Sequence, residues 1–151
     1  MLERILPRSL DAGYQGHPVA KWALVILTLV TLWRSLVHIF LADGGAQSIA
    51  TIPLDTFTST GAAAVVTIFA MWGLSQLLLG VFYVVVLWRY PALIPFVYLL
   101  FVAEYVGRFF IGVSSPPIAL ERPPGAVVNV IFPLLGAVLL ALSLRRKTDG
   151  G

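Results

Sequence analysis

Residues 22–42 read WALVILTLVTLWRSLVHIFLA, an apolar run broken only by hydroxyls and by Arg34 and His38. A helix needs about 20 predominantly apolar residues to cross the hydrocarbon of a bilayer. Three further runs meet that requirement: Ala62 to Leu87, Ala92 to Val113 and Ala126 to Leu144. All four are continuous rather than alternating, and far longer than the ~10 residues of a barrel strand. Backbone amides in hydrocarbon must be satisfied within the segment itself, so each run is expected to be a helix. The predicted fold is an all-α integral membrane four-helix bundle of antiparallel spans. It forms a single membrane domain over residues 1–151, with tails at 1–21 and 145–151. The second run is long for a bilayer and is expected to tilt or to emerge at one end.

Composition excludes the ordinary soluble classes. Hydrophobic residues make up 59% of the 151 positions and charged residues 11%, against roughly 25% charged in soluble domains. Mean hydropathy is +0.94. The net charge of +3 comes from basic residues clustered beside the apolar runs, a pattern of membrane topology rather than of nucleic-acid binding. With no cysteine in the chain, disulfides, thiolate metal sites, iron–sulfur ligation and covalent haem attachment are excluded. Of the two histidines, His17 precedes the first run, so bis-histidine haem within one chain is excluded as well. No metal or cofactor is expected.

The boundaries carry signals of their own. Asp43-Gly44-Gly45 is expected to stop the first helix. Arg89-Tyr90-Pro91 joins the second and third so tightly that they must be neighbours. Pro116-Pro117 and Pro123-Pro124 keep the next connection out of helix, and Pro133 is expected to kink the fourth span. Arg4, Arg8, Lys21, Arg89, Arg145, Arg146 and Lys147 fall on one side, against Arg122 with Asp43, Asp55 and Glu121 on the other. The positive-inside rule then makes both termini cytoplasmic, in what is expected to be a bacterial inner membrane. A cleaved signal peptide is rejected, because the polar lead is long and no clean cleavage site follows the apolar run. Residues 1–10 space Leu2, Ile5, Leu6 and Leu10 as a helix face, which fits either a short interfacial helix or a frayed tail.

Six polar residues interrupt the spans: Arg34, His38, Gln76, Glu104, Arg108 and Asn129. Each is costly in hydrocarbon and needs a partner or a task. Arg34 is thirteenth from Trp22 and Glu104 thirteenth from Ala92, while His38 and Arg108 are each seventeenth. With both helices running outward, these form two matched layers about 6 Å apart. Each i, i+4 pair shares one helix face. Gln76 lies near the middle layer, and Asn129 in the first outer turn of the fourth span. All six are expected to point inward, with Arg34 and Glu104 as an ion pair between helices and Arg108 as the excess positive charge. Arg suits planar, bidentate recognition, so this excess points to an anionic head group, a carboxylate or a quinone carbonyl. Structural glue and proton handling are the competing readings.

Secondary expectations follow the same logic. Gly73 and Gly80 allow close packing on the Gln76 side of the second helix, and Gly107 and Gly112 do the same in the third. Trp22, Trp88 and Tyr90 are expected at the interfaces, while Trp33 and Trp72 are expected to be packing residues. The segment from Asp43 to Gly61 is expected either to cap the bundle mouth or to lie as a solvated loop. In the capping case, Asp43 or Asp55 is placed to reach the excess charge.

No phosphate loop, metal cluster or nucleophile elbow is present. A binding role for a small amphiphile, a membrane lipid or a partner subunit is therefore preferred to enzymatic catalysis. The size, the four spans, the run from Gly80 to Arg89 and the stretch Gly107-Arg108 through Pro116-Pro117 resemble the DoxX-like group of small four-helix bacterial membrane proteins. That resemblance implies a membrane subunit of a quinone-linked oxidoreductase. Lacking cysteine, the chain retains from it only a partner role or a quinone contact. A small transporter is the remaining alternative, and would require a homo-oligomer.

Overall fold

The computed structural model describes residues 2–10, 13–116, 118–121 and 123–145. Arg122, Pro117, Arg146 and Lys147, used above for topology, lie outside them. All regular structure among the described residues is helical: α1 (Leu2–Ile5), α2 (Pro18–Phe40), α3 (Ser59–Arg89), α4 (Ile94–Ser114) and α5 (Pro124–Leu144). Single 3-10 turns occupy Leu54–Thr56 and Pro91–Leu93. Four helices are long and apolar enough to cross a membrane, the third of them together with its leading 3-10 turn. Their outer faces carry large apolar side chains such as Trp22, Leu29, Met71, Phe110 and Leu134.

The ends of the helices are set by capping chemistry. α2 begins four residues before the apolar run because Pro18 occupies its first turn and His17 Nδ1 accepts from Val19 N at 3.2 Å. α3 extends back to Ser59 because Thr58 Oγ1 accepts from Gly61 N at 3.2 Å. At 31 residues, α3 is about 46 Å long, well beyond the ~30 Å hydrocarbon core. α2 stops at Phe40, ahead of the Asp43-Gly44-Gly45 stop. The two glycines instead shape the following turn in left-handed conformations, φ 60° and 77°, which cost glycine nothing sterically.

The four long helices form two tight pairs, α2 with α3 and α4 with α5, and the pairs meet chiefly through α2 and α5. The α2–α3 seam depends on glycine: a Cβ on Gly73 would stand 2.7 Å from His38 Cβ, and one on Gly80 would stand 2.7 Å from Leu32 Cδ2. Gly136 plays the same part between α5 and α4, 2.8 Å from Phe101 Cδ1. Gly107 and Gly112 do not: a Cβ on either would meet nothing within 4 Å. The seam between α3 and α4 is loose beyond their short connection.

The two ends of the bundle differ. At one, His17 N donates to Leu142 O at 3.1 Å, Arg4 reaches Leu144 O at 2.8 Å, and Tyr98 Oη donates to Ala20 O at 2.5 Å. The core lies in this half, built from Ala20, Leu24, Tyr83, Val86, Ile94, Val97, Tyr98 and Leu139. Burial pushes the Tyr14 hydroxyl here up to about 12. α1 is a single helical turn against α4. At the opposite end the two long loops meet, where Leu120 N donates to Thr51 O and Thr51 Oγ1 to Glu121 O, both at 3.0 Å.

Candidate functional site

Five of the six polar candidates converge in the half of the bundle nearer the two loops, around one side chain that the sequence reading assigned to packing. Trp72 of α3 stacks on His38 of α2 with centroids 4.7 Å apart. The Arg108 guanidinium lies 4.9 Å from the indole centroid and that of Arg34 5.6 Å from it. Both fall within the ~6 Å reach of cation–π attraction. Phe69 meets His38 and Trp72 edge-on. Phe69, Trp72 and Gln76 are spaced i, i+3, i+7, and with Gly73 and Gly80 beside them this spacing was a readable sign of one face.

The ion pair differs from the expected one. Glu104 pairs with Arg108 on its own helix, Oε1 accepting from Nε at 2.9 Å and from a terminal nitrogen at 2.5 Å. The spacing is i, i+4, which brings two side chains together without any requirement on helix packing. Arg34 must instead reach Glu104 across the bundle. Its polar contact is a 3.5 Å hydrogen bond to Tyr105 Oη. Among the described residues no carboxylate lies within ion-pair distance of Arg34. The excess positive charge therefore sits on Arg34, not Arg108.

Gln76 is 6% exposed. With its amide turned so that the oxygen faces the donors, it accepts from Trp72 Nε1 at 3.2 Å and from Arg108 at 3.3 Å. His38 is engaged elsewhere: its Nδ1 lies 2.7 Å from Gly44 O, a carbonyl that can only accept a hydrogen bond, which places the hydrogen on Nδ1. Asn129, partly buried on α5, makes no side-chain hydrogen bond among the described residues.

A small cleft of about 20 Å³ opens beside Arg34, lined by Thr31, Gln76, Leu79, Tyr83, Phe101, Glu104 and Tyr105 as well. Its walls come from α2, α3 and α4, where the two helix pairs face each other. The Arg108 and Glu104 side chains remain 24% and 32% exposed.

The loop after α2 closes the end of this region. Gly44, Gly45 and Ala46 are buried, and Gly44 bears on Phe69. Asp43 does not reach the arginines. Its carboxylate accepts from Gly45 N at 2.9 Å, Gln47 N at 3.1 Å and Ser48 N at 2.6 Å. Partial burial pushes this carboxyl up, but the bonds from Ser48, Gly45 and Gln47 outweigh burial and hold its pKa below the usual 3.8.

Among the described residues no group of three or more His, Asp or Glu side chains is placed to hold a metal. Together these features define a small helical bundle of membrane-crossing type with an off-centre polar cluster. No protein-family model, curated protein or solved structure matches the chain.

Proposed function

We propose that this chain is a binding protein of the membrane, an antiparallel four-helix bundle with both termini cytoplasmic, which receives the polar end of a small amphiphile at Arg34. The observation that carries the reading is the half-buried Arg34, with one long hydrogen bond and no carboxylate partner, beside a cleft walled by three helices. An unpaired Arg at mid-bilayer costs roughly 2.5–3.5 kcal/mol on insertion scales. A ligand that neutralises it gains that stabilisation back. The orientation rests on Arg4, Arg8, Lys21, Arg89 and Arg145, which lie at the end opposite the two loops. It puts the polar cluster between the middle and the outer face of the membrane, with the Arg34 cleft at its mid-depth end.

The competing role as a quinone-linked subunit needs Glu104 and His38 as proton carriers. Glu104 is engaged by Arg108 and His38 by Gly44 O, which favours binding over proton transfer. The DoxX-like resemblance enters this proposal only as architecture.

The test is mass spectrometry of lipid extracts from protein purified with its native lipids. Wild type is expected to retain an amphiphile in near-stoichiometric amount, and Arg34→Met is expected to lose it. Equal retention by the two proteins, or none by either, would reject the binding reading in favour of structural glue.

A further inference from the structure

Tyr83 is 2% exposed, yet among the described residues its hydroxyl makes no hydrogen bond. A buried hydroxyl normally finds a partner, because one left unmade costs the group its hydration. No fully enclosed side-chain oxygen or nitrogen among the described residues lacks a partner, so the Tyr83 hydroxyl borders space that a water can reach. The space that Tyr83 lines is the cleft beside Arg34.

Two other walls of that cleft carry unused hydrogen-bonding capacity. Both bonds from Arg108 fall on Oε1 of Glu104, and among the described residues Oε2 accepts none. Arg34 spends one N–H, at 3.5 Å, on Tyr105 Oη, and its other donors have no protein acceptor among the described residues. The cleft thus gathers spare donors on α2, a free acceptor on α4 and, on α3, a hydroxyl that can do either. Its volume of about 20 Å³ suits a single water, which needs roughly 10–15 Å³ on this measure and a few polar partners.

We infer that the cleft holds one ordered water, which accepts from Arg34 and Tyr83 and donates to Glu104 Oε2. The water makes through solvent the link between Arg34 and Glu104 that the side chains do not make directly. It also ties α2 and α3 to α4, across a seam where α3 and α4 otherwise touch little. Water-mediated bonds are enthalpically almost as good as direct ones, and ordered waters satisfy polar groups inside membrane helices in the same way. The water adds no charge, so the excess on Arg34 persists. An amphiphile head arriving at Arg34 takes the water's place, but the water itself does not rest on the amphiphile reading.

The test uses the full chain, stripped of native lipid and placed in phosphatidylcholine bilayers, with ¹³C at tyrosine Cζ and glutamate Cδ. Solid-state NMR follows magnetisation passed from water to each carbon, assigned through its sequential neighbours. Tyr98 is the dry reference, being 0% exposed with its hydroxyl on Ala20 O, and the partly exposed Tyr90 is the wet one. Tyr83 and Glu104 are expected to take up the signal more slowly than Tyr90, while Tyr98 takes up none. Thr31→Leu, which fills the cleft from α2, is expected to lose the uptake at Tyr83 and leave Tyr90 unchanged. The comparison among tyrosines of the wild type needs no variant to fold. If Tyr83 is as silent as Tyr98, no water is held there and the inference falls. It falls equally if Tyr83 responds as fast as Tyr90, which makes the cleft a crevice open to bulk solvent, or if its uptake survives Thr31→Leu. Amphiphile retention is measured on the native-lipid preparation, so failure of either reading is seen apart from the other.

Discussion

Arg108 closes onto Glu104 one turn earlier on the same helix, its Nε 2.9 Å from the carboxylate oxygen, and this leaves Arg34 of the neighbouring helix without an anion. The two arginines, one layer apart in depth, thus do different work. One is held in a local pair that also touches Trp72 and Gln76, and the other faces an open cleft.

The local pair is open to a double-mutant cycle. Glu104→Gln is expected to lower the unfolding free energy by about 1.5–3 kcal/mol, the range for hydrogen bonds to charged groups, because it strands the Arg108 charge. Glu104→Gln combined with Arg108→Met is expected to recover part of the loss, since the guanidinium that the single change strands is then gone. Reversible unfolding in mixed micelles measures both. Equal losses in the single and double variants would show that Arg108 is not the partner that matters.

Glycine positions separate seam from surface. Gly73→Ala and Gly136→Ala each force a methyl to within 3 Å of a packed side chain, and overpacking of that kind costs typically 1–3 kcal/mol. Gly107→Ala and Gly112→Ala meet open space and are expected to be neutral or stabilising by up to about 1 kcal/mol through helix propensity. Thermal unfolding in one detergent ranks the four. Destabilisation by Gly107→Ala as large as by Gly73→Ala would contradict the packing described.

The turn after α2 is expected to loosen in acid. Asp43 has a lowered folded-state pKa, so its contribution is fully present above the unfolded value near 3.8 and is lost as pH falls through the folded value. Amide exchange at Gly45, Gln47 and Ser48, corrected for intrinsic rates, is expected to accelerate below about pH 4. Asp43→Asn is expected to abolish that dependence. A flat profile in the wild type would count against the carboxylate holding the turn.

His38 couples that turn to the cluster. His38→Phe keeps an aromatic ring against Trp72 and removes the bond to Gly44 O, at a cost of about 0.5–1.5 kcal/mol. Limited proteolysis of residues 41–58 is expected to speed up, with the helical content unchanged by circular dichroism. No change in cleavage would mean that the loop is held by Gly44 and Ala46 packing alone.

The four apolar runs were legible from sequence because hydrocarbon leaves a continuous apolar segment little choice but helix. Their ends were less so. Pro18 with His17 and Thr58 with Gly61 are local capping devices that lie outside the apolar runs used to mark the spans. In the site, counting depth put Arg34 and Glu104 in one layer and Arg108 in the next, and so favoured the pair between helices over the one within α4 that forms. The i, i+4 spacing of Glu104 and Arg108 was visible and was read only as a shared face, although the same spacing closes the pair. Gly136 had no signal of its own, since its role depends on Phe101 arriving from another helix. Asn129 illustrates the converse: near a span end a polar side chain has less need of a protein partner, and it makes no side-chain hydrogen bond.

The most direct test is an experimental structure of the full chain in nanodiscs prepared with its native lipids, resolved well enough to place the guanidinium groups. The result expected is Arg108 on Glu104, with the head of a retained amphiphile within hydrogen-bond distance of Arg34 in the cleft between α2, α3 and α4. Arg34 paired with Glu104 and Arg108 turned away, or Arg34 contacting water alone, would contradict the account.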